Sequence, residues 1–389
     1  MIMRKVFTAG GVGLLMIGLA ACSDGEGKGS AAHRGERLMT HELGRIDSVT
    51  VSNLTSGMGN FFMYDSLICF ADVKDALVRA YSVASGDSVT AFLGRGGGPT
   101  EINSLDRACP VLGSPEPMWI VFSREYDIYG FYPARDSLVR YGRVGIQRIA
   151  DTSDAMAYGD PHKYAVTGDE MIMVGDTAFL APVDPMLDET NELDAARHFA
   201  SARTLGAFNP CTAQLDTLFG RLPEVYSKYP SHYFVSHSVA PASAPGRYFV
   251  NFAEDSLIQC MEYPDRLVYE FGYDAPGADR QYSGKFLYDF KAEWDDFKRE
   301  RASRSFSTGL YYDAADDLLL RCVTLENGSG RTVVQAYKDA DLIAEAEMPA
   351  CFRIVGKHGG RYYGVRRMPV SDEEETIFTF YSFSLDPKP

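Results

Sequence analysis

Two histidines five positions apart, His232 and His237 in His-Tyr-Phe-Val-Ser-His, and one glycine-rich run, Gly94-Arg95-Gly96-Gly97-Gly98-Pro99-Thr100-Glu101, are the first candidates for chemistry in this 389-residue chain. At that spacing two imidazoles project from opposite faces of a strand and lie about 140° apart on a helix. They share a metal ion only across a sharp bend. The other histidines, His33, His41, His162, His198 and His358, stand alone. A phosphate-cradling loop needs Lys followed by Ser or Thr at the start of a helix, and here Pro99-Thr100-Glu101 follows the glycines. The glycines suit a tight turn better, because glycine enters positive φ freely. Arg95 and Glu101 are left as charged residues that such a turn can present on a binding face. Neither H-E-x-x-H nor G-x-S-x-G occurs, which removes support for a zinc peptidase or an α/β-hydrolase. A serine hydrolase with dispersed residues stays open, but no catalytic residue, metal ligand or cofactor is assigned.

The strongest single residue is Cys22. Arg4 and Lys5 precede an uncharged stretch at residues 6–21 that is interrupted by Gly10, Gly11, Gly13 and Gly18. A basic start followed by a short apolar segment marks a cleaved export signal, since a spanning helix needs about 20 apolar residues. The segment ends Leu19-Ala20-Ala21-Cys22, which resembles the lipobox of bacterial lipoproteins. The resemblance implies cleavage before Cys22, lipid on its thiol and a membrane attachment held by several acyl chains, which bind far more firmly than one. An ordinary signal peptide with a cysteine nearby is the plainer alternative. Residues 1–21 are thus expected to be a signal peptide and 22–44 a lipid-anchored flexible tether, because residues 23–36 are rich in Gly, Ser, Ala and charge. Ser23-Asp24-Gly25-Glu26 partly resembles the acidic signal that sends Bacteroidetes lipoproteins to the cell surface, with Gly25 interrupting it. The expected location is the bacterial outer membrane, with the periplasmic and surface sides both open.

The chain carries a formal net charge of −15, and loss of Arg4 and Lys5 with the leader makes it more acidic still. Such a body is repelled by nucleic-acid phosphates, so nucleic acid is not an expected partner. Beyond Cys22 lie Cys69, Cys109, Cys211, Cys260, Cys322 and Cys351, with no C-x-x-C pair. That spacing offers neither a zinc knuckle nor a thioredoxin-type centre. Buried free thiols are expected, with disulfides the alternative in an oxidising compartment.

The elements that must position any site are short strands. Runs such as Asn60-Phe61-Phe62-Met63-Tyr64, Met118-Trp119-Ile120-Val121-Phe122 and Phe378-Thr379-Phe380-Tyr381-Ser382-Phe383 combine aromatic and β-branched residues between turn formers. A hairpin recurs: an aromatic strand, a turn with Asp and Ser or Thr, then a strand ending in Gly-Arg. It is seen at Ala80 to Arg95, Gly130 to Arg143 and Gly206 to Arg221. The turn aspartates Asp87, Asp136 and Asp216 give a period of roughly 40 to 50 residues if one unit is skipped, the range of propeller blades. Looser copies follow from Tyr248, Leu318 and Phe352. Six units are expected rather than seven, over residues 45–388 as one domain. The strand around Ser48 to Val51 is expected to pair into the last unit and close the ring, removing exposed sheet edges.

Gly94 to Glu101 resembles the G-x-G-P-G-E loop of the TolB-like six-bladed β-propellers common among Bacteroidetes lipoproteins, with Thr100 in place of the usual glycine. The resemblance implies an all-β, six-bladed propeller on a lipid anchor. Two segments break the repeat, residues 184–203 and 285–302. In the second, Phe286, Phe290, Trp294 and Phe297 share one face of a helix, either capping a propeller opening or packing on the adjacent blade. Triplets such as Asp65-Ser66-Leu67, Asp87-Ser88-Val89 and Asp136-Ser137-Leu138 resemble the O-glycosylation motif of Bacteroides envelope proteins, although turn chemistry alone explains their placement. The expected function is a binding or scaffold module for an envelope protein or glycan. The alternative is a calcium-dependent esterase or lactonase with oxygen ligands in the central tunnel, drawn from residues such as Glu101, Asn251, Asp313 and Asp316.

Overall fold

The structure is a computed structural model that describes residues 33–53, 56–175, 178–188, 195–228, 236–282, 294–325, 331–348, 352–366 and 376–388. Strands dominate, in successive antiparallel runs of four. Run one comprises Gly59–Tyr64, Leu67–Asp72, Leu77–Ser82 and Ser88–Leu93. Run two comprises Arg107–Leu112, Trp119–Phe122, Asp127–Tyr132 and Ser137–Arg143. Run three comprises Met171–Val174, Ala178–Pro185, Leu205–Phe208 and Leu215–Phe219. Run four comprises His237–Pro241, Arg247–Phe252, Ile258–Glu262 and Arg266–Phe271. Run five comprises Phe306–Asp313, Leu318–Thr324, Thr332–Lys338 and Asp341–Met348. The last run takes Phe352–His358, Arg361–Arg366 and Thr376–Phe383 from the C-terminal end and borrows Asp47–Asn53 from the N-terminal end as its fourth strand.

The first strands of these runs touch in turn and return to the start, Gly59–Tyr64 meeting Phe352–His358. The arrangement is all-β and propeller-like. The runs are not six separate sheets, however. Parallel pairing of Met171 and Ile172 with Val111 and Leu112 fuses runs two and three, and the short strand Tyr164–Val166, paired with Ala178–Pro185, brings the sheet to nine strands. Burial follows the radial order: Leu318–Thr324 is buried at every residue, whereas the outer strand Ser88–Leu93 is exposed along most of its length.

Aromatic residues wedge between neighbouring runs. Phe62 of run one meets Trp119 of run two edge-on at 4.9 Å between ring centroids, and Phe131 packs on the same indole at 5.1 Å. Truncating such a buried ring costs about 3–5 kcal/mol. At the seam, Val51 packs with Phe70, Tyr81, Phe378 and Phe380. The closure expected from the sequence is therefore present, with Phe380 paired to Val49 and Phe378 to Val51.

Two sequence expectations are corrected. The three matching hairpins belong to consecutive runs, so no unit is skipped between Asp136 and Asp216. The wide spacing arises because residues 144–170 form a long connection with two short 3-10 turns and the short strand Tyr164–Val166, and residues 186–204 interrupt run three. The unit beginning at Tyr248 is also out of phase: Arg247–Phe252 is the second strand of its run, so Asp255-Ser256 lies at the opposite end from the other turn aspartates. Within the expected tether, residues 33–34 pair with Glu270 and Phe271, and residues 41–43 pair with Leu385, Asp386 and Pro387. Those stretches lie on the body because their backbone groups find free strand edges. Residues 1–32, with the signal peptide and Cys22, lie outside the described residues.

Candidate functional site

In an up-and-down run, the second-to-third turn and the connection to the next run emerge at one end of the sheet, and the remaining two turns at the other. The first strands of runs three to five begin at that first end, and there a cavity of about 80 Å³ opens on the axis. Its wall comes from residues 167–170 before run three, Ser236 to Ser238 opening run four, Asn251 ending that run's second strand, residues 307–309 of run five and Arg353 of the last run. Sequence order scatters these residues; the ring of first strands collects them.

The charged centre is an ion cluster. Arg353 donates from Nη1 to Asp169 and from Nη2 to Glu170. Burial opposes the guanidinium charge, but Glu170 and Asp169 outweigh it and hold the Arg353 pKa above its ordinary value. Burial also pushes the Glu170 carboxyl above the usual carboxylate range, with Arg353 opposing and Asp169 adding to the rise. On the wall, His237 bonds through Nε2 to the Thr204 carbonyl and stacks on Phe252 at 5.3 Å. Just beyond Asn251 sits Glu254, only 1 % exposed. Desolvation raises its pKa to about 9, Glu300 adds to the rise and Arg280 opposes it.

Among the described residues, three α-helices occupy connections at this same end: α1 (Ala195–Ser201), α2 (Val225–Lys228) and α3 (Trp294–Ser303). Phe199 of α1 stacks on Tyr226 of α2 at 6.1 Å, and Tyr226 meets Phe252 edge-on. The first two helices thus both flank the cavity end and pack aromatics onto run four. In the expected amphipathic face of the later segment, positions 286 and 290 lie outside the described residues, while Trp294 opens α3 and position 297 falls inside it.

The expected site residues are dispersed. Arg95 donates to the Lys74 carbonyl, tying the glycine-rich loop to the second-to-third turn of run one at the cavity end. The Glu101 carboxylate folds back on its own loop and accepts from the Gly98 amide at 2.8 Å. Gly96 takes φ of +156°, a backbone conformation that L side chains rarely adopt, so glycine suits the position where the Glu101 carboxylate approaches. Neither Arg95 nor Glu101 lines the cavity. Of the expected calcium ligands only Asn251 does; Asp313 and Asp316 instead bind Lys357, and Asp313 also accepts from Tyr362 at 2.7 Å. Among the described residues no cluster of three His, Cys, Asp or Glu side chains converges as for a metal. His232 lies outside the described residues, as does Cys351. Cys69, Cys109, Cys260 and Cys322 are buried free thiols, and Cys211 is free and exposed. Of the Asp-Ser/Thr triplets, those at Asp65, Asp87 and Asp136 lie at the end away from the cavity.

Apart from His237 and Asn251, sequence reasoning missed the cavity residues, although a local signal for them exists. Polar residues open several first strands, as in Asp169-Glu170 before Met171–Val174 and His237-Ser238 before Val239. Such residues at the head of an apolar run point toward the axis end rather than the core.

The sequence matches no family profile and no curated protein. Among solved structures, a member of the DUF4221 family from Bacteroides vulgatus is similar over 90 % of this chain and all of its own length, at 9 % identity and a TM-score of 0.62. That likeness shows the fold alone. An exported protein from Bacteroides fragilis aligns over 92 % of this chain and 98 % of its own at 10 % identity and a TM-score of 0.48. An aldose sugar dehydrogenase from Streptomyces coelicolor aligns over 88 % and 99 % at 11 % identity and 0.43. The last two are too distant to carry an argument. No helix of the described residues is long and apolar enough to cross a membrane.

Proposed function

We propose that the protein is a binding or scaffold module of the bacterial envelope, lipid-anchored at Cys22, whose cavity end engages a protein or glycan partner. On this reading the body is a six-bladed propeller of the TolB-like kind; its ring of six first strands supports the blade count, and the Gly94 to Glu101 loop is the resemblance behind the TolB-like assignment. The location that fits is the outer membrane. The net charge of −15 argues against nucleic acid as a partner.

The observation that carries the reading is the Arg353 pair with Asp169 and Glu170. A calcium-assisted hydrolase would need converging oxygen ligands around a cation. Here the guanidinium already occupies the cationic position between the two acidic side chains, and of the expected ligands only Asn251 lines the cavity, with Glu101, Asp313 and Asp316 engaged elsewhere. What the cavity offers is recognition: a polar, preformed concavity with a few fixed hydrogen-bonding groups, flanked by helices. The test is affinity capture of the lipidated protein from its native envelope, with the bound species identified. Recovery of a specific partner supports the reading; turnover of ester or lactone substrates that requires added calcium would overturn it.

A further inference from the structure

Two buried polar side-chain atoms on the wall of the axial cavity have no hydrogen-bond partner within the protein. Ser238 and Asn251 face each other directly across the first two strands of run four, and both line the cavity. Asn251 is only 1 % exposed. Oδ1 of Asn251 and Oγ of Ser238 are buried, and no protein group hydrogen-bonds to either. Native proteins satisfy the large majority of buried polar side-chain atoms, and an unmade bond leaves the full desolvation cost of the atom. Asn60 shows the ordinary outcome: in run one its amide donates to the Ala108 carbonyl at 2.8 Å and accepts from the Ala108 N–H at 3.4 Å. Asn251 has the same side chain without that partner, and the cavity lies in front of it.

The charges beside it narrow what fits. An anion meets the carboxylates of Asp169 and Glu170; a cation meets the guanidinium of Arg353, which those carboxylates already engage. A neutral ligand avoids both conflicts. It must donate to Asn251 Oδ1, exchange a bond with Ser238, and offer acceptors and donors to the ion cluster. A hydroxyl both donates and accepts, so adjacent hydroxyls meet all three demands. The geometry points to a neutral glycan as the ligand, inserting the edge of one sugar ring at the cavity with hydroxyls bonded to Asn251 and Ser238. This rests on the binding-module reading and selects the glycan partner within it.

The test uses the detergent-solubilised mature chain and a panel of methyl glycosides of neutral hexoses and N-acetylhexosamines. Inorganic phosphate, ethylammonium and calcium serve as charged comparators. Calorimetry should show saturable binding of at least one neutral glycoside and none of the ions. Asn251→Leu should weaken that binding at least about tenfold, as expected for a lost buried hydrogen bond, and Ser238→Ala should weaken it less. Ser238→Ala should not lower the melting temperature, because it removes a buried hydroxyl that no protein group bonds, and it is the variant that keeps the test decisive where Asn251→Leu, which also loses the Nδ2 group, is destabilised. Three outcomes overturn the inference: no neutral glycoside binds, an ion binds in its place, or Asn251→Leu binds as well as wild type. If envelope capture still returns a specific protein partner in any of these cases, the binding-module reading survives and only the glycan assignment falls.

Discussion

Arg353 reaches across the axis to Glu170, 183 positions earlier in the chain, and to Asp169 beside it. One guanidinium thus joins the last run to the lead-in of run three. Arg353→Ala leaves the Glu170 carboxylate, 14 % exposed, beside Asp169, 34 % exposed, and should cost about 2 kcal/mol, less than the loss of a partner in a fully buried pair. Urea unfolding would measure it, and a loss below about 1 kcal/mol would show that the cluster is solvated, as exposed ion pairs are.

Glu254 should make stability depend on pH. Its carboxyl titrates near 9 in the folded protein against a reference of 4.5. Between those values the folded state holds a proton that the unfolded state has released, so stability should fall as pH rises from about 4.5 to about 9, by at most about 1.4 kcal/mol per unit. Below that window both states are protonated and the effect vanishes. Glu254→Gln should flatten the slope between about pH 5 and 8 in denaturant melts.

Closure by the N-terminal strand should be required for the intact fold. Val51→Asp places a charge among Phe70, Phe378 and Phe380 and should cost about 3 kcal/mol or more. Hydrogen exchange should show the loss first in Thr376–Phe383, the strand that Asp47–Asn53 covers.

Lipid attachment at Cys22 predicts that Cys22→Ala is released as folded, soluble protein while the wild type stays in the membrane fraction until detergent is added. Equal membrane retention of the two would mean that the attachment lies elsewhere.

The strands and the closure were legible because each depends on local pattern: Phe378 to Phe383 is a short run of aromatic residues with a β-branched Thr379, and Ser48 to Val51 is a short strand-like segment with two valines and no partner nearby in sequence. Phase was less legible. Asp255-Ser256 has the composition of the other aspartate turns, and only pairing shows that it sits at the other end of its sheet. The cavity was hidden for a different reason: Asp169, Asn251 and Arg353 meet through the ring of first strands, and no local spacing encodes that meeting. Glu101 misled because a carboxylate beside glycines reads as a ligand-facing group, whereas it holds its own loop together.

The central claim is that the cavity end is the binding face, and it is tested most directly by blocking that face. Ser236 lines the cavity mouth and is exposed, whereas Ser85 is exposed in a turn at the opposite end. Envelope capture should be run with wild type, Ser236→Trp and Ser85→Arg, all lipidated and equally folded. If the cavity end binds, Ser236→Trp loses the bound species while Ser85→Arg retains it; retention by Ser236→Trp with loss by Ser85→Arg would contradict the claim.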